Sequence, residues 1–282
     1  MKKEWNYLYA FLVFVLTMAG MTLLPVVFLI VPMVIGGVIA GDFGVDFMGY
    51  LYSTSYLNYL SVACYTTLGA PFILWFYFSF HQRERESFSK RGGRLRPVSF
   101  LWLTMLTVGL SYFTNLIFTG ITWISPAFVE NYDSLVESSG ITEYSLMWLF
   151  STLILPPIVE ETIFRGLILK YLQRAGAAFL VANLIQAVCF GIYHGNIVQG
   201  IYTFVIGLFF GYVAWRYDSL IPGMFMHFVY NLIGTVGVEL QSMFLPDILY
   251  VLFILGSVPT VVLAMVLIHY RVGETRKEEF IR

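Results

Sequence analysis

Charged side chains are scarce in this sequence. Lys, Arg, Asp and Glu make up 12% of its 282 residues, against about 25% in a soluble domain. So few ions cannot cover a water-facing surface, which excludes a soluble globular domain and a disordered chain. A formal net charge of -1 supplies no global field to attract nucleic acid or another charged partner. There are only two cysteines, Cys64 and Cys189, far apart within apolar stretches. They support neither a disulfide framework nor a thiolate metal site. No His-Glu-x-x-His run occurs, so the local zinc-protease signature is missing as well.

What is present is apolar bulk, at 59% of the chain. About 20 mostly apolar residues cross a bilayer as a helix. Eight such stretches are expected, near 7–36, 55–80, 98–120, 145–170, 177–196, 199–215, 220–238 and 247–270. The first is too long for one straight span, and Pro25 and Pro32 are expected to kink it or lay its end along the interface. It also exceeds the apolar core of a secretory signal, which runs to about 7–15 residues. The Tyr, Phe and Trp content reads as lipid-facing mass and interface belts.

The basic residues divide by side. Lys2, Lys3, Arg83, Arg85, Lys90, Arg91, Arg94, Arg96, Lys170, Arg174, Arg216, Arg271, Arg276, Lys277 and Arg282 fall on one face of an eight-span arrangement. Asp42, Asp46, Glu130, Asp133, Glu137, Glu143, Glu239 and Asp247 fall on the other. The positive-inside rule then places both termini in the cytoplasm. The expected fold is an all-α integral membrane protein, a single polytopic domain over 1–282. Residues 1–144 carry three peripheral helices and an acidic outer loop. Residues 145–238 form the core, spans four to seven, and 239–282 the last helix and a basic tail. For a bacterial or archaeal chain the compartment is the plasma membrane.

One basic residue, Arg165, lies inside a span. Charge near the bilayer centre costs at least about 2.5–3.5 kcal/mol per group on insertion scales, so it persists where it pairs or faces a wet cavity. The fourth span carries Glu160, Glu161 and Arg165, the fifth Phe190 and His194, the seventh His227 and Asn231. Glu161 and Arg165 are four apart with the acid first, the favoured direction for a helical ion pair. Glu160 sits about 100° further round and points elsewhere. His227 and Asn231 share one face of their helix. Glu160 and His194 are equidistant from the Arg174–Ala177 turn, roughly 25 Å along their helices. His227 and Asn231 lie only about 12–20 Å from the Asp218–Ser219 turn by the same rise, so the groups meet only if helices tilt or protrude. Pro156-Pro157, one turn before Glu160, is expected to break the helix there.

A carboxylate and an imidazole converging on one water make it a nucleophile. Glu160 is the expected general base, assisted by His194. His227 and Asn231 are the expected donors to the oxyanion of a tetrahedral intermediate. The same set offers a second arrangement, Zn²⁺ held by Glu160, His194 and His227 with an open fourth position; the metal-free site is preferred. Asn115, Asn183 and Gln186 read as interhelical glue, and Gly207 and Gly211 as a small-residue contact between helices. Two other classes fit buried Glu and His: an ion-coupled transporter and a non-catalytic membrane scaffold or regulator.

The three motifs, Glu-Glu-x-x-x-Arg, Phe-x-x-x-His and His-x-x-x-Asn in order between positions 160 and 231, resemble those of the CPBP (Abi) family. These are intramembrane proteases related to the type II CAAX prenyl endopeptidase. The resemblance covers roughly 145–235. It implies eight helices around a cavity open to the cytosol. It implies water activation by Glu160 and His194, an oxyanion held by His227 and Asn231, and support from Glu161 and Arg165. Members have been described both as metalloproteases and as metal-independent glutamate proteases. CAAX cleavage implies a prenylated cysteine, while compact relatives are expected to handle other peptides or membrane proteins. The expected partners are a peptide or protein substrate and the lipid bilayer, with no nucleic acid.

Overall fold

A computed structural model describes residues 3–40, 45–81, 95–139 and 144–281. Lys2, Asp42, Arg83, Arg85, Lys90, Arg91, Arg94, Glu143 and Arg282 lie outside the described residues, as do the side chains of Asp46, Arg276 and Lys277.

Every regular element among the described residues is helical. We number them α1 (Lys3–Ala40), α2 (Val45–Leu51), α3 (Thr54–Phe76, extended by a π turn, Tyr77–His81), α4 (Pro97–Ile124) and α5 (Pro126–Ser138). The remainder are α6 (Leu146–Arg174), α7 (Phe179–Tyr193), α8 (Ile197–Tyr217), α9 (Ile221–Phe244) and α10 (Asp247–Ile281). Seven of them, α1, α3, α4, α6, α8, α9 and α10, are long and apolar enough to cross a membrane, as in an integral multi-pass protein. The expected fifth span falls on α7, whose 15 residues cover about 22 Å, short of the roughly 30 Å hydrocarbon core. The first expected span is one continuous helix, with Pro25 and Pro32 inside it.

Local chemistry sets several boundaries. Ser53 caps α3 by accepting the Tyr56 N–H. Pro97 and Pro126 open α4 and α5, where a missing N–H costs nothing. Asn196 caps α8 by accepting from the N–H groups of Val198 and Gln199 at 2.9 and 3.1 Å. Gly195, just before it, has φ +67°, a left-handed conformation that favours glycine.

α6 is not a uniform helix. It alternates between π and α winding, with Leu149–Ile154 and Thr162–Ile168 in π geometry and Leu155–Glu161 in α geometry between them. The break expected at Pro156-Pro157 is not present, since α6 runs on through both prolines; the winding changes just before them instead, where Leu155 N–H reaches back five residues to the Phe150 carbonyl. A π turn holds an extra residue per turn, so α6 rises less than a straight α count assumes.

Two apolar clusters pack on either side of this helix. One gathers Val13, Phe72, Ile163, Phe164, Leu167 and Phe190 from α1, α3, α6 and α7. The other gathers Leu106, Ile206, Phe210, Met226, Val261 and Ala264 from α4, α8, α9 and α10. The charged motifs lie on the seam between them.

Candidate active site

The four ionisable groups at the seam are almost wholly buried. Glu160 is 3% exposed, Glu161 0%, Arg165 1% and His227 6%. Buried charges are retained where they are paired and hydrogen-bonded. Arg165 Nη1 donates to Glu161 Oε1 at 2.8 Å, the pairing expected from their spacing. Arg165 Nη2 donates to the Gly207 carbonyl at 3.3 Å. The guanidinium carbon lies 4.4 Å from the Phe190 ring centroid and 5.4 Å from that of Phe210. One ring belongs to each apolar cluster, so this cation is clasped from both sides of the seam.

Glycines in α8 leave room for this arrangement. A Cβ at Gly211 would collide with Asn183 Oδ1 and lie 2.6 Å from Gln186 Nε2. Gln186 Nε2 donates to Asn183 Oδ1 and to the Gly207 carbonyl, at 2.8 and 2.9 Å, and Asn183 Nδ2 donates to Leu208 O. Asn183 and Gln186 do join helices, as expected. Gly207 and Gly211 serve more than helix approach, because their missing side chains make room for polar groups. Asn115 also joins helices, accepting from the Tyr250 hydroxyl at 2.8 Å.

Glu161 Oε1 also faces His227 Nδ1 at 3.1 Å. A carboxylate only accepts, so Nδ1 carries the proton of this bond. The other ring nitrogen, Nε2, lies 3.7 Å from Glu160 Oε2. The two carboxylates thus flank one imidazole. The fold brings His227 beside both acids, closing the difference in height expected from the two turns.

Glu160 has different company on its other oxygen. Oε1 accepts a 2.6 Å bond from the Tyr65 hydroxyl and a 3.4 Å bond from the Tyr193 hydroxyl. Oε2 is buried and has no hydrogen-bond partner. Sequence reasoning missed both phenols, having read tyrosines as belts. Tyr193 directly precedes His194, which was a signal. Tyr65 lies 95 residues from Glu160, and nothing local marks it.

His194 is half-buried and its Nδ1 lies 2.8 Å from the Phe190 carbonyl. A carbonyl only accepts, so Nδ1 is protonated and a neutral ring presents Nε2 as an acceptor. No hydrogen bond or ion pair joins His194 to Glu160 among the described residues, although Glu160 is within electrostatic reach. His227 is the imidazole nearest that carboxylate. No group of three His, Cys, Asp or Glu side chains among the described residues is gathered as a metal-ligand set.

Asn231 has a backbone partner. Its Nδ2 donates to the Thr152 carbonyl at 2.9 Å. The reason lies in α6. Thr152 O has its α-helical donor position at Pro156 and its π-helical one at Pro157, and neither proline has an N–H. The Asn231 amide supplies the missing bond. Removing it by Asn231→Ala is expected to cost about 1–3 kcal/mol, the penalty of an unpaired buried carbonyl. Pro156→Ala returns a backbone donor, so the same substitution in that background is expected to cost less than half as much. Thermal unfolding in detergent micelles checks this, and equal losses in both backgrounds would show that Thr152 does not need the amide.

The family model described as "Rce1-like: Type II CAAX prenyl endopeptidase Rce1-like" matches residues 142–233, which include Glu160, Glu161, Arg165, His194, His227 and Asn231. No curated protein and no solved structure matches the chain. The family implies protease activity on a peptide or protein at the membrane. Residues 142–233 are thus similar to the type II CAAX prenyl endopeptidase family.

Proposed function

We propose that the protein is an intramembrane endopeptidase that hydrolyses a peptide bond of a membrane-associated or lipid-modified peptide or protein. One observation carries the reading. Glu160 is a buried carboxylate with one oxygen tied to phenols and the other unpartnered and 3.7 Å from His227 Nε2; Glu161 also has an unpartnered oxygen, Oε2, but its Oε1 is taken by both Arg165 and His227. A polar atom left unpaired in a native interior calls for an explanation. A free carboxylate oxygen facing an imidazole is what proton transfer from water requires.

The steps follow from the side chains. Glu160 Oε2 takes a proton from water, and His194 Nε2 accepts the second water hydrogen and orients the oxygen. The oxygen adds to the scissile carbonyl carbon, and the carbonyl oxygen gains the negative charge. His227, doubly protonated, donates from Nε2 to that oxyanion, while Nδ1 stays on Glu161. Before the proton moves, Glu160, Glu161, Arg165 and His227 sum to zero charge; once Glu160 holds it, they sum to one positive charge, which the oxyanion balances. The second N–H of Asn231 is the other donor, with the first held by Thr152. Collapse of the intermediate breaks the carbon–nitrogen bond, and the proton on Glu160 passes to the leaving amine.

The proposed topology has eight crossings, with α7 as a short one, and both termini in the cytoplasm. For a bacterial or archaeal chain the membrane is the plasma membrane. The site works without metal in this reading. Dialysis against a chelator is expected to leave cleavage intact and the protein free of stoichiometric zinc by elemental analysis. Activity lost to chelation and restored by Zn²⁺ would reverse that part. Comparing membrane peptides from cells with the natural protein and with Glu160→Gln tests proteolysis itself. Products present only with the natural protein are expected, and identical peptide sets would refute the reading.

A further inference from the structure

We propose that Tyr65, on α3 and outside the matched segment 142–233, is a positioning residue of the hydrolytic site that fixes which oxygen of Glu160 acts as the base. The proposal rests on Glu160 being that base.

A carboxylate presents two equivalent oxygens and rotates about its last bond. A base that must meet one water from one direction needs that rotation stopped. Backbone geometry does not stop it here, because Glu160 is the next-to-last residue of a short α segment that runs into a π segment. The restraint comes from side chains. The Tyr65 hydroxyl donates to Oε1 at 2.6 Å, a distance in the range of strong bonds to an ionised acceptor. The Tyr193 hydroxyl lies 3.3 Å from that of Tyr65 and 3.4 Å from Oε1. Two phenols therefore converge on one oxygen. The other, Oε2, is left toward His227 Nε2 at 3.7 Å.

Tyr65 is itself held in place. Its ring packs against the cluster that contains Phe72, Val159 and Phe164. Close by, Gly69 on the same helix lets α3 approach α6, where an added Cβ would collide with the Val159 side chain. The anchor thus comes from a helix seated closely on α6. Tyr193 comes from α7, beside His194, and its longer contacts make it the weaker of the two restraints.

Two readouts in lipid nanodiscs test the assignment. The first needs no activity. Thermal unfolding is measured for the natural protein, Tyr65→Phe, Glu160→Ala and the double variant, with Glu160→Leu, which likewise offers no acceptor to Tyr65, in place of Glu160→Ala if the latter does not fold. Tyr65→Phe is expected to lower Tm in the natural background and by less than half as much where Glu160 is replaced. Additive shifts overturn the proposal. The second readout is cleavage of an internally quenched peptide ending in a prenylated CAAX sequence. Tyr65→Phe is expected to lower kcat about 10- to 100-fold, the loss typical when a reactive group's orienting hydrogen bond is removed, with KM little changed. Tyr193→Phe is expected to lose less. An unchanged kcat, or a loss carried wholly by KM, overturns the positioning role even if the Tm shifts couple. If the natural protein does not cleave this peptide, the protease reading fails on that probe, and the unfolding cycle alone decides whether Tyr65 holds Glu160.

Discussion

Glu160→Gln is expected to abolish cleavage while leaving a folded, membrane-inserted protein, with a rate loss of at least about 10²–10⁴-fold, the usual contribution of a general base. The substitution preserves shape. Its amide oxygen can still accept from Tyr65, and the amide nitrogen takes the place of Oε2. The site loses a proton acceptor without acquiring a cavity. Turnover of a quenched peptide and the unfolding midpoint, measured on the same preparation, separate chemistry from folding. A variant within threefold of natural activity would remove Glu160 from the mechanism. A variant that is inactive because it is unfolded would leave a lower midpoint as its sign, and Glu160→Asp then supplies the second comparison, since it keeps the acid and moves it back by one methylene.

Arg165→Leu is expected to have the largest effect on stability, a loss of about 3–5 kcal/mol, as found when one partner of a buried ion pair is removed. Three interactions go at once. Glu161 loses its 2.8 Å partner, the Gly207 carbonyl loses a donor, and the Phe190 and Phe210 rings lose the cation between them. The expected signature is partial rescue by a second change. Glu161→Gln with Arg165→Met removes both charges, keeps an acceptor for His227 Nδ1–H and fills most of the volume. It should recover more than half of the lost stability in thermal unfolding. Failure to recover would mean that the guanidinium matters for its packing rather than for the charge it neutralises.

Features within one helical turn were legible in the sequence. The order and separation of Glu161 and Arg165 indicated their pairing, and Pro156-Pro157 indicated irregular winding, although the helix is not broken there. Glu160, one residue from Glu161, was readable as an acid with a different direction. Contacts that depend on how helices lie against one another were not. Tyr65 was one of 19 tyrosines, and its relation to Glu160 exists only after α3 has packed on α6. The height of His227 relative to the acids depends on how α9 lies against α6, which no spacing within either helix states. The hydrogen bond from His194 Nδ1 to its own helix's Phe190 carbonyl, which leaves Nε2 as the acceptor, was not read from the sequence either. The fifth stretch read as a full span on apolarity, yet Asn196 and Gly195 end its helix at 15 residues.

The bond between Asn231 and Thr152 spans 79 positions of chain. Translation runs from the N-terminus, and early segments organise before later ones. While the ribosome is still short of residue 231, the carbonyl that two prolines have stripped has no Asn231 amide to bind. The shape of the helix bearing Glu160 therefore matures late, after its own insertion.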